Sequence, residues 1–231
     1  MGRGWVFALS ILLGLPFAAT NAGGLLDQRV AEGLVVLWCW GVFLHDHATS
    51  STRRRYEMWT VVAFATPMEL FFSEVWRVYE YQHGFMPLFV PPGHWFLFDL
   101  GRKVTVSALP MAWSWSPLVL LPLVVWAWFS GTGTVEVLLL LALLLFIRWG
   151  PDPRLYATMT WLALLMELWG TWLGNWAWAD DVRWIGATSW NPPLLVGSFY
   201  ALGDVLVGLN VRRRFGQDSS EARGSLAHDG A

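Results

Sequence analysis

Eight apolar stretches, parted by short polar or basic segments, constrain this chain more than any other feature; they run roughly over 4–20, 31–47, 57–78, 86–107, 112–130, 134–148, 154–174 and 193–211. A bilayer-crossing helix needs about 20 mostly apolar residues. Inside lipid, backbone polar groups are satisfied only within helices or closed barrels. The pattern therefore predicts an all-α, polytopic transmembrane helix bundle of about eight spans with short loops, occupying residues 1–214 as a single domain. The sixth stretch, Val135-Glu136-Val137 and the Leu-rich run to Ile147, is the plainest, with most residues free to face lipid. Charge points the same way: Asp, Glu, Lys and Arg make up 14% of the chain, against about 25% in soluble domains.

The fourth stretch is the least regular. Three prolines interrupt Met86-Pro-Leu-Phe-Val-Pro-Pro-Gly93 before a helix-like segment opens at His94. Proline removes an amide donor and breaks the ladder, so a broken fourth span is expected. With the N-terminus inside, twelve basic residues sort to the inner side and three (Arg29, Arg77 and Arg183) to the outer side. That asymmetry predicts a multi-pass protein of a bacterial plasma membrane with both termini cytoplasmic. Residues 1–22 also read as a signal peptide ending in small residues, which would leave seven spans. Residues 215–231 turn polar and small and read as a disordered cytoplasmic tail.

Membrane lipids are the expected partner, with no nucleic acid; the net charge of −2 says little, and the oligomeric state is open. The single cysteine, Cys39, excludes an intrachain disulfide and reads as a small buried apolar residue. Many of the 18 tryptophans lie near predicted span ends, where an indole suits the headgroup layer. No internal repeat, phosphate loop or dinucleotide fingerprint stands out, and no cofactor or metal is expected.

Ionisable residues inside a span are costly and are functional candidates by default. Glu69 has no basic residue within one turn, so it reads as an unpaired carboxyl held protonated, as a general acid must be. Ser73, Trp76, Arg77 and Glu80 share its helical stripe, and Glu74 can reach Arg77, giving either an ion-pair cluster or a substrate-binding edge. Glu167 shares a face with Gly170, Thr171, Gly174 and Asn175, and Asp204 with Gly197, Tyr200 and Gly208. Glycines at such spacing pack helices or leave room for a ligand. Asp99 is expected to pair with Arg102 and Lys103, and His45-Asp46-His47 to form a solvated rim. His94, beside the proline break, is a further catalytic candidate.

The stretch Glu167-Leu-Trp-Gly170-Thr-Trp-Leu-Gly174-Asn-Trp-Ala-Trp178, followed by Asn191-Pro192-Pro193, resembles small polytopic carotenoid-processing enzymes of the carotenoid hydratase and integral membrane lycopene cyclase type over about 30 residues. The resemblance implies acid chemistry at Glu167, with Trp176 and Trp178 as cation-stabilising faces. The expectation is a cofactor-independent membrane enzyme doing proton-transfer chemistry (cyclase, hydratase or isomerase type) on a lipidic, isoprenoid-like substrate. Glu69, Glu167, Asp204 and His94 are its catalytic candidates. Glu74, Arg77, Trp76, Asn175, Trp176, Trp178 and Tyr200 are its substrate-binding candidates. A proton-coupled transporter and a non-catalytic scaffold are the alternatives.

Overall fold

A computed structural model describes residues 3–19, 26–106 and 109–216. Its helices begin where capping chemistry allows. Asp27 accepts from the Arg29 amide to start α2 (Gln28–Ala48), and Ser51 accepts from Arg54 to start α3 (Thr52–Leu70). Asp152 accepts from Leu155 ahead of Pro153, the first residue of α7 (Pro153–Trp172). Each cap satisfies an amide the helix leaves unpaired. The other helices are α1 (Arg3–Ala19), α4 (Val90–Val106), α5 (Leu121–Ser130), α6 (Val135–Trp149) and α8 (Gly197–Phe215), with a 3-10 segment, Met111–Leu120, running into α5.

The chain is helical, but the expected eight-span polytopic bundle is not what these helices form. Among the described residues only one segment, Met111–Ser130, is both long and apolar enough to cross a membrane. Helices α1, α4 and α6 are short for a span at 17, 17 and 15 residues. The longer α2, α3 and α8 carry charge at their ends or within them: Glu32 and Asp46, Arg53 to Arg55 with Glu57, and Asp204 with Arg212 to Arg214. Counting apolar residues overstated the spans because it ignored where the helices start and stop. The multi-pass reading is corrected accordingly, and the sidedness drawn from it loses its basis. A membrane location remains compatible with the one qualifying segment. The tail expected from residue 215 falls mostly on 217–231, outside the described residues.

Helices α4 and α7 form the middle of the bundle. The first packs on α1 and α3, the second on α8, α6 and the 3-10 segment, and the two pack on each other. Close approach is built in at two glycines. A Cβ on Gly101 would lie 2.2 Å from the Met159 sulfur, and one on Gly197 would lie 2.2 Å from the Thr160 Cα. Gly197 thus sets α8 against α7 rather than lining a site.

One end of the bundle is ionic. Arg54 bridges Asp46 at 3.0 Å and Asp99 at 2.7 Å. Its guanidinium lies over the Trp95 ring, whose Nε1 donates to Asp46. Lys103 also pairs with Asp99, and Arg102 joins Glu57 to Asp204. Asp46 is therefore a buried anchor and not a solvated rim. Asp99 pairs with Lys103, as the spacing suggested, but with Arg54 in place of Arg102. The sequence showed neither Arg54 link because each joins α3 to another helix.

The opposite end is closed by a two-stranded ribbon. After α3 the helix widens into a π turn, Phe71–Val75, and Arg77 at φ 55° turns the chain into β1 (Tyr79–Tyr81). β1 pairs antiparallel with β2 (Trp176–Trp178), Tyr79 opposite Trp178 and Tyr81 opposite Trp176. A second small ribbon joins β3 (Asp181–Val182) to β4 (Ala187–Thr188).

Candidate functional site

The ribbon builds the site. Side chains two apart on a strand share a face, so the register puts Tyr79, Tyr81, Trp176 and Trp178 together on one side, over a cavity of about 170 Å³. Glu69 at the end of α3 and Glu167 on α7 both line it, with His94 from α4 and Tyr200 from α8. Each carboxyl takes two aromatic donors from its own following strand. Glu69 accepts from the Tyr79 and Tyr81 hydroxyls, the latter at 2.7 Å. Glu167 accepts from Nε1 of Trp176 at 2.7 Å and of Trp178 at 2.8 Å.

These two halves are variations on one motif. Met68-Glu69-Leu70 precedes Tyr-Glu-Tyr, and Met166-Glu167-Leu168 precedes Trp-Ala-Trp. From acid to donors the separations are 10 and 12 residues in the first and 9 and 11 in the second. The two acids are thus held alike, each by paired aromatic donors at a similar spacing. The changed aromatic identities and the one-residue offset hide this likeness in the sequence.

The two acids have different electrostatics. Glu69 faces His94 Nε2 at 3.1 Å, while the other ring nitrogen lies 3.0 Å from the Val90 carbonyl, to which it donates. Burial disfavours charge on both, but their mutual pairing outweighs it, with the tyrosine donors assisting Glu69. The Glu69 carboxyl is held below its usual range and the His94 imidazole above its own. Glu69 is thus an ion-paired carboxylate, correcting the expectation of an unpaired, protonated acid. Its partner comes from the next helix, beyond any one-turn search.

Glu167 occupies the environment expected of Glu69. Burial pushes its carboxyl up to about 7, against the pull of the Trp178 and Trp176 N–H groups. Tyr200 lies face to face with His94, ring centroids 5.6 Å apart.

Gly170 explains part of the glycine stripe. A Cβ there would meet the Trp176 ring at 2.1 Å, so this glycine makes room for the indole that caps Glu167. Gly170→Val is expected to expel Trp176 and destabilise the fold by about 1–3 kcal/mol as an overpacked site. Thermal unfolding and tryptophan emission measure this; unchanged values would contradict the packing role.

The remaining candidates lie outside the cavity. Asp204 pairs with Arg102 at 2.9 Å in the ionic layer, which removes it from the catalytic set. Glu74 accepts from Ser73, and Trp76 donates to the Arg183 carbonyl and stacks on Trp184. Arg77, at positive φ, serves as the turn into β1 and lies outside the cavity lining. Asn175 is buried and donates to the Leu15 carbonyl, a structural tie between α1 and the ribbon.

Glu136 was missed as a structural acid. It is wholly buried, not facing lipid, and accepts from the Leu194 and Leu195 amides ahead of α8. Asn191 Oδ1 in the same turn accepts from the Trp178 amide. Glu136→Ala leaves two buried N–H groups unpaired and is expected to cost about 2–4 kcal/mol, read from chemical denaturation. Unaltered stability would show that water or rearrangement replaces the carboxylate.

Among the described residues no group of three or more His, Cys, Asp and Glu is gathered as a metal site. No protein family, curated protein or solved structure matches this chain. The isoprenoid, cyclase and hydratase expectation therefore gains no support from known proteins.

Proposed function

We propose that the chain is an enzyme that moves protons on an apolar, unsaturated, lipid-like substrate. The observation that carries this reading is the pair of carboxyls in one apolar cavity, one ion-paired and one pushed up to about 7. Environments that drive two acids apart in this way assign acid and counter-charge roles.

Glu167, protonated, gives its proton to one carbon of a C=C bond. The π pair forms the new C–H bond and leaves a cation on the other carbon. The Glu69 carboxylate and the aromatic faces of the ribbon stabilise that cation. Loss of a proton from a neighbouring carbon to the Glu167 carboxylate restores the acid and leaves the double bond shifted. The cycle balances without oxidant or cofactor.

The apolar outer surface favours a substrate delivered from lipid: Leu13, Leu37, Phe129, Trp149 and Trp172 are among its strongly exposed residues.

The test is incorporation of solvent deuterium into unsaturated lipids incubated with the protein in deuterated water. Label in the recovered lipid, lost in Glu167→Gln, is the expected result; no label from any unsaturated class overturns the reading. Rate is expected to fall as pH rises through about 7, because the working form of Glu167 is the acid. A rate that climbs through that range would assign Glu167 the role of base.

A further inference from the structure

The cavity lining is unevenly exposed. Phe64 and Met68 of α3 and Leu202 of α8 line the cavity and are 37%, 39% and 37% exposed. On the α1 and α2 side Ser10, Leu15, Val35 and Cys39 are buried, and Ile11 and Gly14 are partly buried. Indole hydrogen bonds tie the helices of that side together. Trp38 Nε1 donates to the Ser10 hydroxyl at 2.9 Å, and Trp169 Nε1 donates to the Leu12 carbonyl. A Cβ added at Gly14 would lie 3.4 Å from Val35 of α2, at ordinary contact distance.

We infer that the cavity is a blind channel: an apolar chain enters end-first between α3 and α8, passes the two acids, and stops against a floor of Ser10, Val35 and Cys39. The inference rests on the proposed function for the meaning of the acids, but its geometry stands apart from any reaction. The enclosed volume supports a part-buried ligand. About 150 Å³ of apolar cavity holds a benzene-sized group, so a space of about 170 Å³ encloses only the leading end of a longer chain. The floor then fixes which carbons lie beside Glu167. Cys39, Val35 and Gly14 become specificity-determining residues that touch no reacting atom.

Binding tests this without turnover. The probes are straight alkenes carrying a bulky adamantyl cap at one end or at both, added to the full-length protein and detected by native mass spectrometry. The singly capped chain is expected to bind and the doubly capped chain to fail by at least tenfold. Equal binding of the two would overturn a blind, end-first channel.

Cys39→Phe, which fills the floor, is expected to weaken the singly capped chain about tenfold, the equivalent of about two methylenes kept from burial. Unchanged affinity in a folded Cys39→Phe protein also overturns the floor assignment. Should that variant not fold, the capped-chain comparison on the unaltered protein still decides. Glu167→Gln is expected to bind the singly capped chain as the parent does. Correct binding with no deuterium transfer would reject the proposed reaction and leave the channel standing; the opposite pattern would reject the channel alone.

Discussion

Glu167→Gln is expected to lower turnover by about 10²–10⁴-fold, the range for removing a positioned general acid, while leaving the fold in place. The amide keeps an oxygen where the carboxyl accepts from Trp176 and Trp178, so the ribbon retains its register. What it lacks is a transferable proton. Glu69→Gln is expected to behave differently. It removes the counter-charge of His94 and offers the tyrosines a weaker acceptor, so both rate and stability fall. Measuring rate and unfolding midpoint together separates the two. Full activity in Glu167→Gln would remove this residue from the chemistry.

The second large effect lies at the other end of the bundle. Arg54→Met is expected to destabilise the protein by about 3 kcal/mol, near the low end for breaking a buried ion pair. Asp46 and Asp99 are nearly inaccessible at 3% and 5%, while Arg54 itself is 25% exposed and partly solvated. Losing the guanidinium leaves both carboxylates without their shared cation, although Lys103 and Trp95 still reach one each. Chemical denaturation reads the effect. A change below about 0.5 kcal/mol, ordinary for a surface substitution, would show that this layer is a solvated rim after all.

The sequence carried the helical character, the prolines that mark the start of α4, and the acids worth watching. Glu167, Trp176 and Trp178 lie close enough in sequence for their grouping to be visible. Local spacing was least informative where a partner came from another helix. His94 neutralises Glu69 from α4, Arg102 captures Asp204 from across the bundle, and Arg54 captures Asp46 and Asp99.

The likeness of the two acid sites was legible in principle through Met-Glu-Leu at 68–70 and 166–168, but the donors change from tyrosine to tryptophan. The span count failed for a different reason. Hydropathy windows ignore where caps, a π turn and a ribbon end each helix, and those ends decide whether an apolar stretch is long enough to cross.

Glu69 and Glu167, in one cavity, are expected to be in opposite protonation states. Infrared spectra of the carboxylic C=O stretch, recorded against pH, address this directly. Subtracting Glu167→Gln from the parent is expected to leave one protonated-carboxyl band that disappears as pH rises through about 7. Subtracting Glu69→Gln is expected to leave no such band. Glu136, pushed up to about 7 by burial despite its two amide donors, contributes equally to all three and cancels. A titrating band that follows Glu69 and not Glu167 would contradict the account.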